Sequence, residues 1–277
     1  MLHCAVMTRQ KLGQHFLADA DWREKIARAI GISRHAGLGP AQGGEAAWLE
    51  IGAGHGEMTG LLLATGLPVT AVELDPALLE RLEKLCTRYP NLTVAPGDIL
   101  RLDLATIFGE RRVRVYGNLP FYITSPILHR LFEHAARIEA IHVVVQSEVA
   151  ARLVACPGTR DFAYLSVAAQ YYTRPEIALR IPRSAFHPPP EVTSALVTLR
   201  LPGAGASAGI RDEARFFDFV KLCFAHKRKT LVNNLKPLAG PELVREALSA
   251  LKIRADARAE QLPVSQFAAL YRTLIPA

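Results

Sequence analysis

Apolar positions along this chain follow two rhythms. Short continuous apolar runs, closed by turn-forming residues, occur at Ala46–Ile51, Val69–Val72, Leu92–Ala95, Val113–Tyr116 and Ile141–Val145. Runs of that length, rich in β-branched residues, read as strands buried on both faces. Between them lie segments with helical spacing. Ile127, Leu128, Leu131, Phe132 and Ala135 recur at three and four, which places one apolar stripe on a helix over 127–135. Thr124 or Ser125 is positioned to cap it, with Pro126 in the first turn, where a missing N–H costs nothing. This alternation predicts an α/β fold with helices on both faces of a sheet.

The second part of the chain is different. Pro182, Pro188, Pro189 and Pro190 forbid helix over 181–190 and favour extended chain. A last strand is expected at Ala195–Leu201, followed by Pro202-Gly-Ala-Gly-Ala-Ser-Ala-Gly209, which reads as a flexible linker of small residues. Helical spacing then returns over 216–225, 242–251 and 264–274, interrupted by Pro237, Gly240 and Pro263. The expected organisation is a sheet domain over 1–202, a linker over 203–210 and a small helical domain over 211–277. No internal repeat is visible.

Composition narrows the class. Half of the 277 residues are hydrophobic and 21% are charged, so most of the chain has enough apolar material to fold. The net charge is +7, and the 67 residues from Arg211 onward carry 12 basic against 7 acidic side chains. A basic carboxy-terminal segment points to a polyanionic partner such as nucleic acid. Cys4, Cys86, Cys156 and Cys223 stand far apart, without zinc-ligand spacing, and read as reduced thiols with no metal. No apolar stretch approaches the ~20 residues of a membrane span, and Met1–Met7 lacks the form of a signal peptide. A cytoplasmic protein is expected.

The candidate chemistry sits at the strand ends. Trp48–Thr59 runs from an apolar strand into a turn bearing Gly52, Gly54 and Gly56, then into a helix. The spacing is GxGxG rather than the dinucleotide GxGxxG, and Glu57 at the helix start would repel a pyrophosphate. A ligand without phosphate fits better. Glu73 closes the next strand, 21 residues after Gly52, where an acid reaches ribose hydroxyls. Asp98, in Pro96-Gly97-Asp98-Ile99, closes the third, where a carboxylate can accept from an adenine amine. Together these acids indicate an adenosine-containing ligand, and S-adenosylmethionine suits them better than NAD.

Asn118-Leu-Pro-Phe121 follows the strand at 113–116. An asparagine followed by Pro and an aromatic residue suits methylation of an exocyclic base amine. Such a nitrogen is a poor nucleophile because its lone pair is delocalised into the ring. The Asn118 side-chain oxygen and the Pro120 carbonyl would hold its two protons and draw the lone pair out, while Phe121 stacks on the base, worth ~1–3 kcal/mol. No strong base is required.

Gln14-His15-Phe16-Leu17, Glu50-Ile-Gly-Ala-Gly54, Glu73-Leu-Asp75, Gly97-Asp98 and Asn118–Phe121 resemble the ribosomal RNA adenine dimethyltransferases. Residues 146–153, 185–194 and 224–235 sharpen the resemblance to the bacterial small-subunit branch, which spans about residues 8–274. The resemblance implies a Rossmann-like class I S-adenosylmethionine-dependent methyltransferase with a small all-helical carboxy-terminal domain. It implies dimethylation of two adjacent adenines in a hairpin loop near the 3′ end of 16S rRNA, within the immature 30S particle, by a monomer with no obligate protein partner. Gln14, His15, Leu17, Gly52, Gly54, Leu74, Ile99 and Asn118 then join Glu73 and Asp98 as cofactor contacts, and Asn118, Pro120 and Phe121 form the catalytic motif. Arg183, Lys227, Arg228 and Lys229 are the RNA-binding candidates, with Arg180, Arg9 and Lys11 nearby in the motifs.

Five positions, in four departures, differ from the family pattern: His15 for Asn, Phe121 for Tyr, Ser147 for Lys, and Phe162-Ala163 for Tyr-Gly. Phe121 is the one feature favouring the large-subunit, antibiotic-resistance branch. An assembly factor with incidental methylation is a further alternative, opposed by the intact Glu73, Asp98 and Asn118.

Overall fold

The computed structural model describes residues 15–32 and 46–275. The chain runs β1 (Phe16–Leu17), α1 (Ala20–Ala29), β2 (Ala46–Ile51), α2 (Glu57–Leu63), β3 (Val69–Glu73), α3 (Pro76–Cys86) and β4 (Leu92–Pro96). It continues through α4 (Leu104–Phe108), β5 (Arg112–Asn118), α5 (Thr124–Phe132), β6 (Ile138–Gln146), α6 (Ser147–Val154), α7 (Tyr164–Tyr172) and β7 (Arg174–Ile181). The remainder is β8 (Phe186–His187), β9 (Ser194–Arg200), α8 (Glu213–Cys223), α9 (Leu231–Asn234), α10 (Pro241–Ala250) and α11 (Val264–Leu274).

Seven strands form one sheet in the order β4-β3-β2-β5-β6-β9-β7, and β1 pairs with β8 in a separate two-stranded ribbon. The pairs β3–β4, β2–β3, β2–β5 and β5–β6 are parallel. Every residue of β2 is buried, which explains why all but Glu50 are apolar: helices cover both faces of such a sheet, so no solvent face imposes a period of two. From β2 the chain builds outward through β3 and β4, then returns to lay β5 and β6 on the other side. The carboxyl edge beside β2 is therefore the topological switch point, where an open α/β sheet receives its ligand.

Each expected strand forms, as do the three carboxy-terminal helices. Three strands were not anticipated: the two-residue β1 and β8, and β7, which lies at the sheet edge, largely half-exposed, with Pro175 and charged side chains breaking its apolar pattern. The α5 cap also differs. Thr124 and Ser125 lie inside the helix, and Ile123 holds the cap position without a side-chain bond.

The chain divides into two compact units. One comprises residues up to Ala150 with Glu176–Leu199, the other Ala151–Pro175 with Arg200–Ala277. The expected boundary near residue 202 thus runs differently: 151–175 belongs with the carboxy-terminal helices. Aromatic packing accounts for it, since Tyr171 packs at a tilt against Phe216 with ring centroids 5.2 Å apart, and Phe162 lies 6.4 Å from Phe224. The expected flexible linker is packed as well. A Cβ at Gly203 would come within 2.3 Å of the Thr173 backbone nitrogen, and one at Gly205 within 2.5 Å of the Tyr171 ring. These small residues permit close approach rather than free movement.

Candidate active site

Register brings the strand ends together. Ile51 faces Val72 on one side and Gly117 on the other, Glu73 faces Pro96, and Asn118 faces Val144. Each functional side chain therefore emerges at one edge. Beyond β2 the chain turns with Gly52, Gly54 and Gly56 all at positive φ. At Gly54 a Cβ would also lie 3.1 Å from the Phe16 ring, so glycine serves both backbone angle and space.

Glu73 holds that turn. Its Oε2 accepts from the Gly54 N–H at 2.8 Å, and its Oε1 accepts from the N–H groups of Leu74 and Asp75 at 2.8 and 2.9 Å. Asp75, beyond it, caps α3 by accepting from the Ala77 N–H. Beneath the turn, Glu50 is buried and accepts from the Thr59 hydroxyl at 2.6 Å, tying α2 to β2. Burial pushes the Glu50 carboxyl up to about 8, a shift opposed by the Thr59 hydrogen bond and reinforced by Glu73 and Glu57. Glu50 is thus a neutral acid at neutral pH, a property sequence reading did not anticipate.

Two adjoining chambers open at this edge. His15, Gly54, Asn118 and Phe121 line the first; Leu74, Asp98, Ile99 and Tyr122 line the second; Gly52, Glu73 and Pro120 line both. Of the anticipated cofactor contacts, Leu17 lines neither: its side chain is buried in the core and its backbone pairs with Phe186. Gln14, Arg9 and Lys11 lie outside the described residues. The Asp98 Oδ1 accepts from the Leu100 N–H at 3.0 Å.

The Asn118 amide has a defined orientation. Its Nδ2 donates to the His15 carbonyl at 2.8 Å, which leaves Oδ1 as its open acceptor. The His15 Nδ1 donates to the Pro188 carbonyl at 2.8 Å, and its ring stacks on Phe121 with centroids 5.5 Å apart. The proline-rich loop thereby braces the Asn118–Phe121 motif through His15, a link that local sequence could not disclose. The Pro120 carbonyl already accepts from the Ile123 N–H at 3.2 Å and the Thr124 hydroxyl at 3.1 Å. Thr124, one of the two residues placed to cap α5, instead turns its hydroxyl back to the motif.

The RNA candidates fall in two places. Arg183 is exposed and donates through Nε to the Pro190 carbonyl at 2.6 Å. Lys227, Arg228 and Lys229 are exposed in the turn before α9, where Lys227 donates to the Arg160 carbonyl at 2.7 Å. Among the departures, Phe162 is fully buried and Ser147 hydrogen-bonds Thr193 at 2.8 Å.

The donor set suits S-adenosylmethionine. Among the described residues, no Lys or Arg lines either chamber to balance a pyrophosphate, whereas two carboxylates and an apolar wall match a cationic sulfonium on an adenosine. A glycine turn and strand-end acids at the switch point of this sheet define a class I S-adenosylmethionine-dependent methyltransferase. A family model described as ribosomal RNA adenine dimethylase matches residues 6–275, and the chain belongs to that family. It is 38% identical to a "Ribosomal RNA small subunit methyltransferase A" of Koribacter versatilis, over 96% of this chain and 94% of that one. Its counterpart in Acidobacterium capsulatum is 40% identical, over 96% and 91%. Among solved structures, a dimethyladenosine transferase from Plasmodium falciparum shares the fold at a TM-score of 0.76 and 23% identity, covering 92% of this chain and 96% of that one. The 23S rRNA methyltransferase ErmE matches at a TM-score of 0.67 and 25% identity, covering 94% and 99%.

Proposed function

We propose that this protein dimethylates the N6 amines of two adjacent adenines near the 3′ end of 16S rRNA, acting as a monomer on the immature 30S particle. The observation that carries this reading is the Asn118 amide in the wall of the first chamber, anchored through Nδ2 so that its oxygen is left as the open acceptor. S-adenosylmethionine, when bound, supplies an activated methyl group. Glu73 and Asp98 would hold its ribose and adenine, with Gly52, Gly54, Leu74 and Ile99 around them. Asn118 Oδ1 takes one proton of the target amine by hydrogen bond and concentrates its lone pair. For the Pro120 carbonyl to take the other, the Thr124 hydroxyl must rotate away, which costs about 1 kcal/mol. Phe121 offers the base the ring face not occupied by His15. A target adenine must leave its stack to reach this site, so a hairpin loop is a natural substrate.

The relatives at 36–40% identity carry small-subunit names, whereas the large-subunit enzyme stands at 25%. That difference supports the small-subunit branch despite Phe121. The test is transfer of labelled methyl groups from S-adenosylmethionine to unmethylated small subunits and to naked large-subunit rRNA. Label is expected in the small subunit alone, as dimethyladenosine, and lost in Asn118→Ala while subunit binding persists. Label in large-subunit RNA would reject the branch, and binding without any label would favour an assembly factor.

A further inference from the structure

The carboxy-terminal unit holds a second concave site, built from none of the residues of the chambers. Where the chain leaves Gly209 and enters α8, it forms an open groove lined by Arg211, Asp212, Arg215, Tyr271 and Arg272. Its shape is fixed by short packing. Gly209 has φ +65°, a Cβ there would come 3.4 Å from Arg272 Nη1, and that nitrogen donates to the Ala208 carbonyl. One guanidinium is thus pinned at the wall by a single N–H, its remaining donors still available.

The other charges are unbalanced. Among the described residues, Asp212 is the only acid in the lining, and its Oδ1 accepts from the Arg215 backbone N–H at 2.9 Å to cap α8. The neighbouring Glu213 is engaged by the Tyr171 and Tyr172 hydroxyls at 3.0 and 2.7 Å. Among the described residues, the side chains of Arg211 and Arg215 have no hydrogen-bond or ion-pair partner. Three guanidiniums therefore face one committed carboxylate in a single groove. Like charges held this close repel, and a planar fork with free N–H groups is suited to bidentate contact with phosphate oxygens.

We infer that this groove binds the phosphodiester backbone of the RNA substrate, with Arg211 and Arg215 as the anchoring cations and Arg272 as the fixed wall. This rests on the rRNA reading above and extends it to residues outside the basic run at 227–229. The test measures binding to unmethylated small subunits between about 50 and 200 mM salt, for the wild type and an Arg211→Gln/Arg215→Gln variant. A control variant, Lys221→Gln/Arg245→Gln, removes two cations of the same unit that already pair with Asp218 and Glu242. The groove variant should bind at least tenfold more weakly, with the slope of log affinity against log salt shallower by about 1 to 2, and the control should resemble the wild type. Arg211→Gln alone, in the loop before α8, covers the case in which the double variant fails to fold. Unchanged affinity and slope, or an equal loss in the control, would overturn the inference while wild-type methylation stood. A wild type that neither bound nor methylated small subunits would instead reject the functional reading.

Discussion

Replacing Glu73 by glutamine tests the strand-end acid as both a structural clamp and a cofactor ligand. The carboxylate accepts three backbone N–H bonds of 2.8, 2.8 and 2.9 Å, from Leu74, Gly54 and Asp75. A glutamine has one acceptor oxygen. Kept on the Leu74 and Asp75 side, it turns its NH2 toward the Gly54 N–H, donor against donor. Hydrogen bonds to a charged acceptor contribute about 1.5–3 kcal/mol and neutral ones about 0.5–1.5, while an orphaned buried N–H costs about 1–3. The variant should therefore lose about 3 kcal/mol of stability by urea denaturation. The displaced Gly54 turn and the missing charge should together weaken S-adenosylmethionine binding by thirtyfold or more in calorimetric titration. A stability loss under about 0.5 kcal/mol would refute the clamp. A clear stability loss with affinity unchanged within twofold would instead refute the ribose assignment.

Two further expectations concern folding. The Glu50 carboxyl, raised by burial from its ordinary value of 4.5 to about 8, keeps a proton that the unfolded chain releases. Stability should fall as pH rises through that window, by up to about 1.4 kcal/mol per pH unit from this group, and Glu50→Gln should flatten the profile measured in urea between pH 5 and 8. Parallel wild-type and variant profiles would reject it. Gly203→Ala should destabilise the protein by about 2 kcal/mol or more, because its Cβ would fall 2.3 Å from the Thr173 nitrogen. In a free linker the same change would be neutral or slightly stabilising, so a raised melting temperature would contradict the packing described here.

The chain announced its parallel strands and terminal helices because burial on both faces leaves continuous apolar runs, and one-sided burial leaves a stripe. Gly52, Glu73, Asp98 and Asn118 were legible for a related reason. Each stands at the end of a strand or within two residues of it, and parallel strands deliver their ends to a common edge. Strand β7 escaped notice because Pro175 and exposed charged residues interrupt any such pattern, and the segment 202–209 misled because small residues signal flexibility and tight packing alike.

What local sequence determined, then, was the sheet, its loaded edge and the residue types that chemistry there requires. Tertiary structure decided the rest through contacts between positions far apart in the chain. The His15 carbonyl orients an amide 103 residues away, and the Pro188 carbonyl reaches His15 across 173. It also decided that 151–175 packs with the final helices, and that Glu50 sits where water cannot solvate its charge. Orientation, ionisation and domain membership depend on what surrounds a group in space, and no pattern of nearest neighbours along the chain encodes that.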